Sequence, residues 1–271
     1  MARANSANYN AALKSRFNRQ NGGGPRFACE RFVFFARLLC VLSLVIAGEL
    51  AWTQEPVKNS AEHDTQAPSK LDWTKLPPAE AGGVWLFHGD SLGPWQVAQQ
   101  SYFDKHGTVK WENGILSLPA GSPGTGVVAT FEVPKNNYEL HFQARRTGGD
   151  DFFCGLTFPF EDQQGTLILG GWGGGTVGIS NVNTYSAIEN ATTRNVAFEQ
   201  DRWYKFRLRV TPAEVELWVD DKSLFVLDTE EVKFSIWWEQ KPMAPLGFAS
   251  WRTSAEFKEL RLVPVESPKK E

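Results

Sequence analysis

Four adjacent pairs of acids have the residue type needed to move protons: Asp150/Asp151, Glu161/Asp162, Asp220/Asp221 and Glu230/Glu231. Cleavage of a glycosidic bond uses two carboxyls placed on either side of it. Each of these pairs falls at a strand end or turn, where solvation alone favours acids. "EVELWVDD" (214–221) puts Glu214, Glu216, Trp218 and Asp220 on one face, and the acids at its end read as a hairpin turn. The stretch "GGGTVG" (173–178) fits the G-x-G-x-x-G phosphate cradle, with Trp172 just before it. That cradle needs a helix N-terminus after the glycines. The chain instead continues as "TVGISNVNTYS", β-branched and Asn-rich, which is strand and turn chemistry. The run therefore reads as strand, turn or bulge, strand.

The histidines form no Ser–His–Asp pattern. His88 sits in an N-terminal turn, His106 in a loop, and His141 on the polar face of a strand; His63 has no partner in sight. Cys29, Cys40 and Cys154 offer no disulfide framework and no metal spacing, and Cys154 in "DFFCGLTF" reads as a buried apolar residue. No metal-ligand cluster is legible and no cofactor can be named, although an oxygen-ligated calcium leaves little trace in a sequence. Tryptophan is the richest signal. There are 11 in 271 residues, and a sugar's C–H face packs on an indole.

The charge balance excludes one class of partner. Residues 1–37 carry seven basic groups and the single acid Glu30, which leaves 21 basic and 30 acidic residues beyond them, a net of -9. A nucleic-acid partner would require a basic footprint. The basic leader runs into "RFVFFARLLCVLSLVIAGELA" (31–51), whose apolar run Leu38 to Ala47 has the length of a signal-peptide h-region. Cleavage after Ala47 is expected, with an uncleaved signal anchor as the alternative. The protein is therefore expected to be exported, whether periplasmic, extracellular or membrane-anchored, with membrane contact only through this segment. Residues 52–83 are rich in Pro, Gln, Ser and Lys and read as a linker, residues 84–266 as one domain, and 267–271 as a tail.

The elements that must position any site are strands. "YELHFQARR" (138–146) and "WYKFRLRV" (203–210) alternate apolar and polar with period two. "EVELWVDDKSLFVLD" (214–228) reads as a hairpin. "GVVATFEV", "DFFCGLTFPF", "TLILGGW", "LGFASW" and "FKELRLVPV" complete the set, and no stretch has helical periodicity over ten residues. Such a chain is expected to be all-β, an antiparallel sandwich or barrel.

The order of these pieces resembles the 3-keto-disaccharide hydrolase domain family. The resemblance rests on "WLFHGDSLGPWQV" (85–97), "VKWENGILSL" (109–118), "NNYELHFQARR" (136–146), "DDFFCGLTF" (150–158), "DRWYKFRLRVTPAEVELWVDDKSL" (201–224) and "AEFKELRLVPV" (255–265), which span residues 84 to 265. It implies a concanavalin A-like jelly roll with a ligand groove, a carbohydrate partner, and hydrolysis of 3-keto-glycosides. The sequence departs from the family's pattern where Pro159 replaces an arginine, where "GFASWRT" brings Trp251 and Arg252, and at "GGWGGG". With the groove placed by resemblance, Asp151, Glu161 and Arg252 are the catalytic candidates, and Trp172, Trp238, Trp251 and His141 the substrate-binding ones. The glycines would then lower the groove floor beneath Trp172. Trp95, Trp111, Trp203 and Trp218 read as packing residues, and only one of Trp237 and Trp238 is expected to enter the core. The alternative to an enzyme is a non-catalytic, lectin-like or structural envelope module.

Overall fold

The computed structural model describes residues 71–87 and 91–266. The basic leader, the signal or anchor segment, the linker as far as Lys70, His88 and the tail lie outside the described residues. In chain order the strands are β1 (Val84–Trp85), β2 (Trp95–Val97), β3 (Lys110–Glu112), β4 (Ile115–Leu118) and β5 (Gly124–Ala129). There follow β6 (Tyr138–Gly148), β7 (Cys154–Phe160), β8 (Gln163–Gly170), β9 (Thr176–Ser180) and β10 (Arg194–Asn195). The last are β11 (Tyr204–Val210), β12 (Glu214–Val219), β13 (Lys222–Asp228), β14 (Gly247–Trp251) and β15 (Ser254–Pro264). They make an antiparallel β-sandwich. One sheet has eight strands, ordered β13-β12-β11-β6-β15-β4-β3 with β1 paired to β15. The other has seven, ordered β10-β9-β8-β7-β14-β5-β2.

Period-two alternation explains the core. Leu140, Phe142 and Ala144 of β6 and Phe206, Leu208 and Val210 of β11 point inward, against Leu156 and Phe158 of β7 and Leu167 and Leu169 of β8. Phe248 of β14 lies at the centre of the aromatic packing. Its ring centroid is 5.4 Å from Phe142, 5.3 Å from Phe257, 6.1 Å from Trp95 and 6.3 Å from Phe87. Trp95 and Trp111 are buried in this core as their motifs suggested. Trp203 and Trp218 are not. Both are half-buried on the outer face of the eight-stranded sheet, Trp203 beneath Arg145 and Lys258, Trp218 beneath Arg207 and Arg209. Part of the segment read as linker is packed too, because Leu76 and Ala79 are buried and Asp72 bridges to Glu132.

The two outer faces differ. On the eight-stranded sheet the outward residues are charged and paired. Glu139, with a side chain only 8% exposed, takes hydrogen bonds from His141 (2.7 Å) and Arg209 (2.8 Å) and pairs with Arg207 (3.4 Å). Burial alone would raise its pKa, but the bonds and charges of His141 and Arg209 outweigh that and lower it from 4.5 to about 2. A depressed carboxylate stabilises the fold above its unfolded pKa and loses that contribution as pH falls through the folded value. Wild-type protein is therefore expected to lose roughly 2–3 kcal/mol from this group between about pH 5 and pH 2. Glu139→Gln should flatten that part of a urea-stability profile, and equal slopes in the two proteins would contradict it.

The seven-stranded sheet instead has both faces covered, so every residue of β7 and β14 is buried and period-two alternation is lost. Its outer face carries small and polar residues such as Gly126, Gly155, Thr157, Thr166 and Ser180. Two segments lie on it. Phe103 and Met243 pack on Ala249, and Ala187 packs with Phe152, Ile168 and Trp251. The approach is close enough that a Cβ on Gly126 would come within 2.8 Å of the Met243 sulfur.

Candidate functional site

At one end of the seven-stranded sheet, four pieces of chain converge: the lead-in to β7, the β8–β9 turn, the β14–β15 turn and a 3₁₀ turn at Trp238–Met243. The lead-in carries Asp151. Its backbone N–H donates to Thr253 Oγ1 (3.0 Å), and its carboxylate accepts from the N–H of Phe152 (2.7 Å) and from the backbone of Trp172. The Trp251 N–H donates to the Phe152 carbonyl (3.1 Å), and the Arg252 N–H to the Pro123 carbonyl (2.7 Å). Arg252 thereby stands at the turn with φ of 50°, its charge acting on Asp151 and on Glu239.

Both acids are perturbed in the same direction. Burial raises the pKa of Asp151, and the Asp150 charge adds to it, against the Phe152 and Trp172 N–H groups and Arg252. Burial likewise raises Glu239, opposed by Arg252. Glu239 Oε2 is buried without a hydrogen-bond partner among the described residues, and the fully buried Gln240 beside it has none for either amide atom. Such groups are expensive to bury unmet.

Indoles and a phenol surround this pair. Trp251 lies 5.9 Å from Phe152, 5.9 Å from Trp237 and 5.8 Å from Tyr102, and Tyr102 is 4.9 Å from Trp238. Trp172, Trp237 and Trp238 are exposed, at 44%, 37% and 57%. Carboxyls with raised pKa can exchange protons nearer neutrality, a guanidinium can hold a developing oxyanion, and indoles can hold a sugar ring. No group of three His, Cys, Asp or Glu able to hold a metal occurs among the described residues.

The glycine run has a different use from the one its sequence suggests. It is a tight turn between β8 and β9 wrapped around a guanidinium, not a groove floor. Arg146 points inward from the end of β6, and its Nη2 donates to the carbonyls of Gly174 (2.7 Å), Gly170 (3.3 Å) and Asp151 (3.4 Å). Gly170 and Gly174 have φ of 77° and 98°, and a Cβ on Gly174 would lie 2.9 Å from Arg146 Nη1. Only glycine fits both the backbone and the contact. Trp172, itself at φ 49°, is thus presented outward while its N–H reaches Asp151.

A family model for the 3-keto-alpha-glucoside-1,2-lyase-like domain matches residues 82–263. The chain belongs to that family. No similarity to a curated protein reaches significance. Among solved structures, it is similar to a glycosyl hydrolase family protein from Mycobacterium fortuitum (11% identity, 69% of this chain and 96% of that one, TM-score 0.43). It is also similar to a beta-1,3-glucanase from Mycobacterium marinum (10% identity, 71% and 96%, TM-score 0.42). A third is a carbohydrate-binding module from Bacillus subtilis (9% identity, 63% and 95%, TM-score 0.41).

Within this lyase-like domain the sequence candidates divide. Asp151, Arg252, Trp172, Trp238 and Trp251 share the end of the seven-stranded sheet just described. Glu161 does not. It sits in the β7–β8 turn, at the far end of the seven-residue strand β7 and so roughly 20 Å away. It lines a separate shallow cleft with Lys135, Pro159 and Gln164, so it cannot pair with Asp151 across one bond. His141 is on the other sheet's outer face, held by Glu139 and Arg261, and does not meet Trp251. Trp237 and Trp238 are both exposed, because "SIWWEQ" leads into a 3₁₀ turn instead of running as a strand. Sequence reading missed Glu239 and Gln240. Their only signal is an acid and an amide directly after two tryptophans.

Proposed function

We propose that this lyase-like domain cleaves 3-keto-glucosides at the C1–oxygen bond by proton abstraction. The reading rests on one observation, the two carboxyls of raised pKa that share the field of Arg252 beside the Trp251 cluster. A ketone at C3 acidifies the C2 hydrogen. Asp151, which burial makes a stronger base than an ordinary carboxylate, takes that proton as the C2–H electrons become the enolate, with Arg252 beside the enolate oxygen. The enolate collapses to restore the C3 carbonyl, forms the C1=C2 double bond and breaks the bond from C1 to the leaving oxygen. Glu239, whose acid form is favoured by burial, gives that oxygen its proton. Addition of water across C1=C2 would complete a net hydrolysis.

The test is incubation with a methyl 3-keto-glucoside in deuterated water. Methanol release with deuterium entering C2 is the expected result. Asp151→Asn should slow release about 10²–10⁴-fold, as expected for loss of a general base. With both acids raised, the rate–pH curve should be bell-shaped, both limbs displaced upward from the ordinary carboxylate range. Absence of both release and C2 exchange would overturn the proposal, and glycan binding without turnover would reduce the domain to a lectin-like module.

A further inference from the structure

The outer face of the eight-stranded sheet, opposite in the sandwich to the Asp151 site, holds a cleft of about 450 Å³ lined by Trp85, His141, Gln143, Lys205, Arg207, Trp218, Asp221, Glu259 and Arg261 among others. That volume is within the range of small-molecule sites. We infer that this cleft is a second carbohydrate-binding site, one that takes neutral glycans without cleaving them.

Three features build the site. First, two half-buried indoles line the cleft, Trp85 and Trp218, the latter stacked under Arg207, so that a sugar's C–H face would pack on Trp85 and along the planar Arg207–Trp218 stack. Second, the polar groups are planar and held in place. Arg207 lies over Trp218 at 3.5 Å, and Arg261 donates to the carbonyls of Ala81 (2.7 Å) and Gly82 (3.1 Å). Contacts of His141 Nδ1 with Arg261 (3.2 Å) and of its Nε2 with Glu139 (2.7 Å) fix the ring orientation. Gln143 donates to Glu259 at 2.5 Å. Third, the backbone is bent to aim carboxylates into the cleft. Glu259, at φ 54°, occupies a bulge of β15 between Lys258 and Arg261, and Asp221, at φ 65°, occupies the β12–β13 turn. Bulges re-aim side chains, and the Asp220–Asp221 pair, both at positive φ, makes the hairpin turn that brings Asp221 to the cleft.

Charge selects the ligand class. Lys205, Arg207 and Arg261 face Asp221 and Glu259 across the cleft, with Glu139 bound behind Arg207. Glu139 is already held by Arg209 and His141, so within the cleft three cations meet two carboxylates, a mixed lining that offers donors and acceptors side by side. A neutral polyhydroxylated ligand can use both the donors and the acceptors of such a lining, whereas its two carboxylates oppose an acidic polysaccharide. Among the described residues, no hydrogen bond or ion pair engages the Lys205 ammonium or the Asp221 carboxylate, which leaves both available to hydroxyls.

The experiment is native affinity electrophoresis of the full chain through gels containing dextran, laminarin, hydroxyethylcellulose or polygalacturonate. Retardation by at least one of the three neutral polymers is expected. Trp218→Ala should weaken it about tenfold or more, and Glu259→Gln, a surface change that spares the fold, should weaken it measurably. Asp151→Asn and Trp172→Ala should leave it unchanged, so this outcome is independent of turnover at the other site. No retardation by any neutral polymer, retardation by polygalacturonate alone, or retardation lost with Trp172→Ala and kept in both Trp218→Ala and Glu259→Gln would overturn the inference.

Discussion

Arg146→Met is expected to cost about 3 kcal/mol of stability and to disable the Asp151 site with it. The guanidinium reaches three carbonyls in a place where water does not, and removing a charged donor leaves buried acceptors unmet at roughly 1–3 kcal/mol each. Partial relaxation of the turn keeps the total below the sum. For a domain of about this size the melting temperature should fall by roughly 6–12 °C. The turn also delivers the Trp172 N–H to Asp151, so Arg146 is a positioning residue, and keto-glucoside turnover should fall further than the loss of folded protein explains. Arg146→Lys, which keeps charge but not the planar fork, should recover part of the stability and little of the turnover. A loss below about 1 kcal/mol in Arg146→Met, seen by urea denaturation, would mean that the glycine turn holds itself.

Phe248→Ala is expected to cost about 3–5 kcal/mol, the range for deleting a buried ring that its neighbours cannot replace. The residue is fully buried and touches rings from both sheets, so the cavity would open where the sandwich is held together. Phe248→Leu, which fills most of the space, should cost less than half as much. Calorimetric melting of the pair checks this. A loss below about 1.5 kcal/mol for the alanine variant would show that the core collapses around the gap.

The sequence made the eight-stranded sheet easy to read and the seven-stranded sheet hard. β6 and β11 have one wet face, so Glu139, His141 and Arg207 alternate visibly with Leu140, Phe142 and Phe206. "CGLTFPF" in β7 is covered on both sides and shows no alternation; its strand character came from residue type alone. The site was half legible for the same reason. Asp151, Trp172, Trp251 and Arg252 lie on or beside strands whose order the family resemblance supplied. Glu239 and Gln240 sit in a 3₁₀ turn laid over the sheet, and nothing in local periodicity says where such a turn lands. Glu161 looked equivalent to Asp151 because both flank β7, yet a seven-residue strand separates its two ends by more than a sugar's length. The tryptophans followed a comparable rule. Those inside strand motifs divided between core and outer face according to which side of the pleat they occupy, as Trp218 does by sharing the outward parity of Glu216 while Leu217 turns inward.

The last two strands occupy the middle of the molecule. β14 lies between β7 and β5, and β15 between β6 and β4, with β1 also paired to β15. A chain emerging from the ribosome can form the β11–β12–β13 meander and the β7–β8–β9 meander early, since neighbouring strands in those stretches are close in sequence. Neither β4 nor β5 has its long-range partner until residues 247–264 exist. Closure of both sheets is therefore a late event on the chain, with high contact order and slow kinetics. Until it happens the unpaired edges of β6 and β7 stay open to solvent and to other chains.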